Sequence, residues 1–229
     1  MREYLPFAKT QLCDYAVCRT LQLHRGLSQV ILRRKKGFGM SGPDQSLELA
    51  GKLLIAMPGM MDPRFDGSVI YMCSHSSEGA MGLVINRPIE HASFKELCSQ
   101  LSIEATNERS IPVLFGGPVD QSRGFVVHSQ DYQAEVSTQA IGQTLSMTAT
   151  KDIIEAVATG SAPEQASLFM GYSGWGAGQI EDEIANNGWL VSDANEDMVL
   201  SVDHGDKWQS ALGLMGIDAL MLSSYGGTA

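Results

Sequence analysis

The stretch SLFMGYSGWGAGQIEDEIANNGWLVSD (167–193) decides between two fold classes. An apolar strand, a glycine-rich segment, a polar helix and a second strand follow one another, with Asp193 about twenty residues beyond the glycines. That is the order of a dinucleotide-binding βαβ unit. The chemistry of the segment argues against it. The helix opens Gln179, Ile180, Glu181, Asp182, Glu183, and those carboxylates already complement the positive end of the helix dipole and would repel a pyrophosphate. Trp175 also stands where a phosphate would have to approach the backbone. The glycines are read instead as a tight loop after the strand, with Trp175 as a packing residue.

Working outward, the rest of the chain alternates short strands with isolated helices. LELAGKLLIAM (47–57) is an extended apolar run ending at Pro58-Gly59. SVIYMCSH (68–75) and AMGLVINR (80–87) are expected to pair as a β-hairpin around a four-residue loop, SSEG. Both strands are apolar at successive positions, which predicts cover on both faces. SFKELCSQL (93–101) carries a capping box, Ser93 with Glu96, and an apolar stripe of Phe94, Leu97, Cys98 and Leu101. PVLFGG, GFVVHS, AEVS (134–137) and TLSMTA predict further strands. KDIIEAVATG predicts a helix closed by Gly160. DKWQSALGLMGI predicts an amphipathic helix starting at Asp206. Adjacent strands mixed with single helices give an α+β domain instead of a regular βαβ array.

The 229 residues carry a net charge of −10, are 44% hydrophobic and contain four cysteines. The charge is divided unevenly. Residues 1–39 hold eight basic and two acidic residues, a net +6, and residues 40–229 hold eight basic and twenty-four acidic, a net −16. We expect residues 1–39 to lie outside the fold, with Met40 as the native start and 40–229 as one domain. Cys13, Cys18, Cys73 and Cys98 have neither disulfide-framework nor zinc-finger spacing, which suggests reduced thiols and a cytoplasmic protein. No apolar run approaches the roughly 20 residues of a membrane-spanning helix.

Candidate site residues come from local chemistry. Cys73 and His75 are two apart on one strand, so their side chains are expected on one face about 7 Å apart, where an imidazole could activate a thiol. The plain alternative is a buried cysteine beside a strand-end histidine. Gly116-Gly117 could cradle an anion with Arg123 nearby, against the alternative of a simple turn. Arg64 in MMDPRF (60–65), the strand end Asn86-Arg87-Pro88 and the two glycine loops, FGGPV and GYSGWG, could converge on this ligand site. Asp203, His204 and Asp206 are the one compact ligand-like cluster, and no metal motif is present. No motif calls for a cofactor.

Three blocks together resemble one family: LLIAMPGMMDPRFDGSVIYMCSHSSEGAMGLVINRP (53–88), FGGPVDQSRGFVVHS (115–129) and FMGYSGWGAGQIEDEIANNGWL (169–190). They are similar to the AlgH/YqgE-like proteins of bacteria, a family largely uncharacterised biochemically. The resemblance covers about residues 47–229. It implies an α+β fold with a curled, largely antiparallel sheet flanked by helices, and it brings the label of transcriptional regulator. It carries over no catalytic residues. The residues themselves favour a binding or regulatory protein acting through a small ligand or a protein partner. The alternative is a thiol-dependent enzyme using Cys73 with His75.

Direct DNA binding is disfavoured, because residues 151–207 hold eleven carboxylates between two terminal lysines. A net charge of −16 opposes the counterion release that drives non-specific binding. A titration of residues 40–229 with labelled duplex in about 50 mM salt should give no saturable binding. Micromolar binding with a steep salt slope would restore a direct role on DNA.

Overall fold

A computed structural model describes residues 48–222 apart from Met61, Glu135, Val136 and Ala162. The expectations for residues 1–39 and for Cys13 and Cys18 fall outside the described residues. Nine strands form one sheet in the order β6-β7-β5-β8-β3-β2-β1-β9, with β4 joined to β8 off this path. They are β1 (Lys52–Ala56), β2 (Val69–Ser76), β3 (Gly79–Val84), β4 (Val113–Phe115), β5 (Val119–Ser129), β6 (Thr138–Ile141), β7 (Leu145–Thr148), β8 (Ala166–Gly176) and β9 (Trp189–Asp193). The β4–β8 pair is parallel and the other pairings are antiparallel.

The sheet curls into a half-barrel. Its β6 edge curls back toward the other half, where Tyr71 Oη of β2 donates to the carbonyl of Ile141 at 3.4 Å and where Gly51, before β1, lies close to Gly142. Inside lies the largest apolar cluster, with Leu53, Tyr71, Leu83, Phe125, Val127 and Phe169 among its members. Two short helices, α4 (Glu196–Leu200) and α5 (Lys207–Leu214), add Met198, Val199, Ala211 and Leu212 to it. Outside, α1 (Phe94–Gln100) and α2 (Lys151–Thr159) cover β4, β5 and the first half of β8. A separate outer cluster joins α3 (Gln179–Ala185) to β1, β2 and β3. The fold is thus the α+β, curled, mostly antiparallel sheet expected, and β2 is covered on both faces: Val69 and Tyr71 point inward, Ile70 and Met72 outward. Among the described residues no helix is long and apolar enough to cross a membrane.

Local signals hold where they depend on neighbours in sequence. The Ser93–Glu96 capping box is present in both directions, and Gly160 closes α2 at φ 74°. Three expectations need correction. GYSGWG is strand, not loop: β8 runs through it to Gly176 and pairs with β3. The hairpin loop is two residues, Ser77 and Glu78, because Ser76 pairs directly with Gly79. AEVS is not a strand at its described positions; pairing begins at Thr138. Lys207, at the start of α5, is fully buried. Its Nζ donates to the carbonyls of Met198 at 2.9 Å and Val199 at 2.6 Å, and burial pushes the ammonium down to about 8.

Two histidines link this core to pH. His128 is fully buried on β5. Its Nδ1 lies 2.7 Å from the Ser129 carbonyl, which can only accept, so Nδ1 carries the proton and Nε2 accepts from the Thr148 hydroxyl at 2.9 Å. Burial holds the His128 ring below its usual 6.5, against opposing pulls from the Ser129 bond and Asp131. Burial, then the Lys207 ammonium, does the same to His204, whose Nδ1 has no hydrogen-bond partner. A histidine depressed in the folded state binds more protons when unfolded, so stability is full above the unfolded value and is lost as pH falls below about 6.5. Urea unfolding between pH 7.5 and about 5, above the range where carboxylates titrate, should show falling stability. A flat profile would mean that the two rings titrate normally.

Candidate functional site

A cleft of about 730 Å³ opens on the outer face, beside α3. Three segments far apart in sequence build it: the β1–β2 loop from Met57 to Phe65, Pro118-Val119 at the start of β5, and Gly174-Trp175 of β8 with α3 and the start of β9. Its aromatic wall is a triad. Phe65 stacks on Trp175 with centroids 6.4 Å apart, and it meets Trp189 edge-on at 5.7 Å. Trp175 and Trp189 are themselves edge-to-face at 6.2 Å. Trp175 is therefore the packing residue expected, and it also lines a cavity.

Glu183 holds this wall together. Both indole N–H groups donate to its Oε2, Trp175 at 3.1 Å and Trp189 at 2.8 Å, while Gln179 Nε2 donates to Oε1 at 2.9 Å. An indole nitrogen taken out of water needs an acceptor, and one carboxylate oxygen serves two of them. The register explains the meeting. β8 brings Trp175 opposite Ala80 on β3, β9 brings Trp189 opposite Ala56 on β1, and α3 connects the two strands across the gap.

The loop wall is fixed from behind. Asp62 caps the short 3-10 turn Pro63–Phe65 by accepting from the Arg64 N–H at 3.0 Å, and it also takes the Arg64 guanidinium at 2.6 Å. Hydrogen bonding to Arg64 holds the Asp62 carboxyl below the usual carboxylate range. Arg87 donates to the carbonyls of Arg64 at 2.6 Å and Asp66 at 2.7 Å. Asn86 bridges the Gly67 carbonyl and the Val69 N–H. Of the ligand residues expected from sequence, Arg64 thus lines the cleft, whereas Asn86 and Arg87 brace its wall.

The other expected residues go elsewhere. The Gly116 N–H is already given to the Met170 carbonyl at 2.8 Å and is not open to an anion, and Gly117 packs against the backbone of Tyr172 and Ser173. Arg123 does not line the cleft; its guanidinium lies 5.2 Å from the centre of the Phe125 ring. Asp203, His204 and Asp206 form no metal site: among the described residues no group of three or more His, Cys, Asp or Glu side chains could hold a metal ion. The Gly176 N–H of β8 is taken by Gln179 Oε1 and is not open to a phosphate.

Cys73 and His75 do not share a face. The pairing of β2 with β3 slips between Met72 and Ser74, a β-bulge, so alternation changes phase there. Cys73 points into the inner cluster with Tyr71. His75 sits opposite Ala80 on the outer side and pairs with Glu181 of α3 at 2.8 Å. Burial pushes the Cys73 thiol far up, and its Sγ donates weakly to the Tyr71 carbonyl at 3.7 Å. Cys98 is buried too, with its thiol raised by burial. Native protein at pH 8.5 should therefore alkylate at Cys73 at least about a hundredfold more slowly than the urea-unfolded chain, read by peptide mass spectrometry. Fast native labelling would revive thiol chemistry.

Sequence reasoning missed Glu183, Trp189 and the Met57–Gly59 segment as site residues. The signal available was two tryptophans fourteen positions apart, flanking a short acidic helix. Comparison with known proteins agrees with the architecture. The AlgH-like family model matches residues 53–220. A UPF0301 protein of Paracoccus denitrificans is 49% identical over 189 residues, covering 81% of this chain and all of the relative. One from Ruegeria pomeroyi is 49% identical over 185 residues, covering 80% and all. The solution structure of the AlgH protein from Pseudomonas aeruginosa superposes with a TM-score of 0.66 at 35% identity, covering 84% of this chain and 100% of that one. A crystal structure of a Corynebacterium diphtheriae protein, at TM-score 0.55 and 21% identity over 76% of this chain and 88% of that one, shares the fold. This chain belongs to the AlgH-like family.

Proposed function

We propose that the protein is a cytosolic binding protein whose Trp175–Trp189 cleft takes a small ligand with an apolar body, and that any regulatory effect runs through occupancy of that cleft. The observation that carries this reading is the convergence of three separate segments on one concavity of about 730 Å³ with an aromatic wall. Small-molecule sites are of this size and character, mostly apolar with a few placed polar groups. The bracing of the β1–β2 loop by Asn86 and Arg87 supports it, because a wall fixed in advance lowers the cost of binding. A thiol-dependent reaction has no such support, given a buried Cys73 and a His75 on the opposite face.

Val119 stands 39% exposed at the cleft mouth, so Val119→Arg should block entry with little effect on the core. Native mass spectrometry of protein purified from its own host should find a bound small molecule on the wild type and lose it from this variant. Retention by both, or its absence from both, would remove the cleft as the functional site.

A further inference from the structure

The charges around the cleft are unequal in their partners. Asp62 and Arg64 neutralise each other through a bidentate contact, and Glu181 is taken by His75. Glu183 is different. Among the described residues no Lys, Arg or His forms an ion pair with it. Its neighbours are neutral donors: two indoles on Oε2 and the Gln179 amide on Oε1. An ionised carboxylate offers about four acceptor positions, so one remains, on Oε1. The cleft thus presents a carboxylate without an ion-pair partner among the described residues, set into an aromatic wall. The guanidinium of Arg64, by contrast, has its charge offset by Asp62 through Nε and Nη2.

We propose that the ligand of this cleft is a small organic cation, an ammonium group on an apolar body, with the charge against the Glu183 carboxylate and the body along Phe65 and Trp175. The proposal rests on the cleft-binding reading above and gives it a chemical class. Among the described residues lining the cleft the one cation, Arg64, is paired with Asp62, so a free anion would meet the Glu183 charge without an offset. A neutral apolar ligand would leave the open Oε1 position unfilled.

The protein contains three tryptophans, and Trp208 lies apart from the cleft, bonded to the Ala56 carbonyl at 2.9 Å. In the full chain carrying Trp208→Phe, emission comes from Trp175 and Trp189 alone. Three probes of similar shape separate the possibilities: phenethylammonium, the neutral 2-phenylethanol, and the anionic 3-phenylpropionate. Phenethylammonium should change the emission saturably in the range of about 1 mM, suited to a fragment-sized ligand, and the other two should bind at least about tenfold more weakly. Glu183→Gln, which keeps an acceptor for the indoles but removes the charge, should weaken phenethylammonium by about tenfold. Equal binding of alcohol and ammonium would overturn the cation while leaving the cleft as a binding site. Preference for the carboxylate, binding of none of the three, or full affinity in a folded Glu183→Gln protein would also overturn it. Should Glu183→Gln unfold, the three-probe comparison on the unaltered carboxylate decides alone.

Discussion

The fold depends on one strand changing partners at a glycine. The first half of β8 lies between β4 and β5, while its second half pairs with β3. Between the halves, Gly171 sits at φ 73°, a conformation an L side chain rarely adopts, and an added Cβ there would come within 2.9 Å of the Val119 carbonyl. The consequence is visible in the side chains. Phe169 and Tyr172 are three apart, yet both pack in the inner cluster. Strict alternation would put them on opposite faces. The bulge at Gly171 resets the alternation, so that Trp175 arrives on the outer face beside α3. Gly116 and Gly117 complete the junction by letting the β4–β5 connection lie directly on this backbone.

From that reset follows the cleft. Trp175 can meet Trp189 only because β8 and β9 reach the same side of the sheet, separated by β3, β2 and β1 in the strand order. Helix α3 spans that distance on the outer face with seven residues and buries Ile180 against the sheet. Its next turn presents Glu183 to both indoles. One carboxylate therefore ties three elements, β8, α3 and β9, and the aromatic wall inherits its orientation from hydrogen bonds as well as packing. On the other side, Arg87 reads two carbonyls of the β1–β2 loop and fixes Phe65 where it can stack.

What was legible in the sequence was local or periodic. The Ser93 cap, the Gly160 stop, the strand runs other than AEVS and the α+β mixture each depend on residues a few positions apart, and each matches the structure. The segments MMDPRF, FGGPV and GYSGWG were also legible as neighbours of a common site, although only as a suspicion of convergence. The errors share a cause. Glycine was taken as a loop signal in GYSGWG, where it marks a strand bulge and close backbone contact. The face of Cys73 and His75 was inferred from unbroken alternation, and a single extra residue between Met72 and Ser74 reversed it. Glu183 escaped because its role exists only after β8, α3 and β9 have assembled, and no spacing in the chain encodes a shared acceptor for two indoles.

Lys207 illustrates why a charge pattern alone misleads. It lies at the first helical position of α5, beside Asp206, and looks solvated in the sequence. Yet α4 and α5 together close the inner face, and α4, like any helix, leaves its last carbonyls without intrahelical partners. The ammonium inserts at the C-terminal end of α4 and takes the carbonyls of Met198 and Val199, where the helix dipole also favours positive charge. Burial works against that charge, which is why its pKa falls to about 8. The acidic first turn of α4, Glu196 and Asp197, complements the opposite end. A five-residue helix persists here because both of its ends are answered by charge and because Met198 and Val199 are buried in the barrel interior.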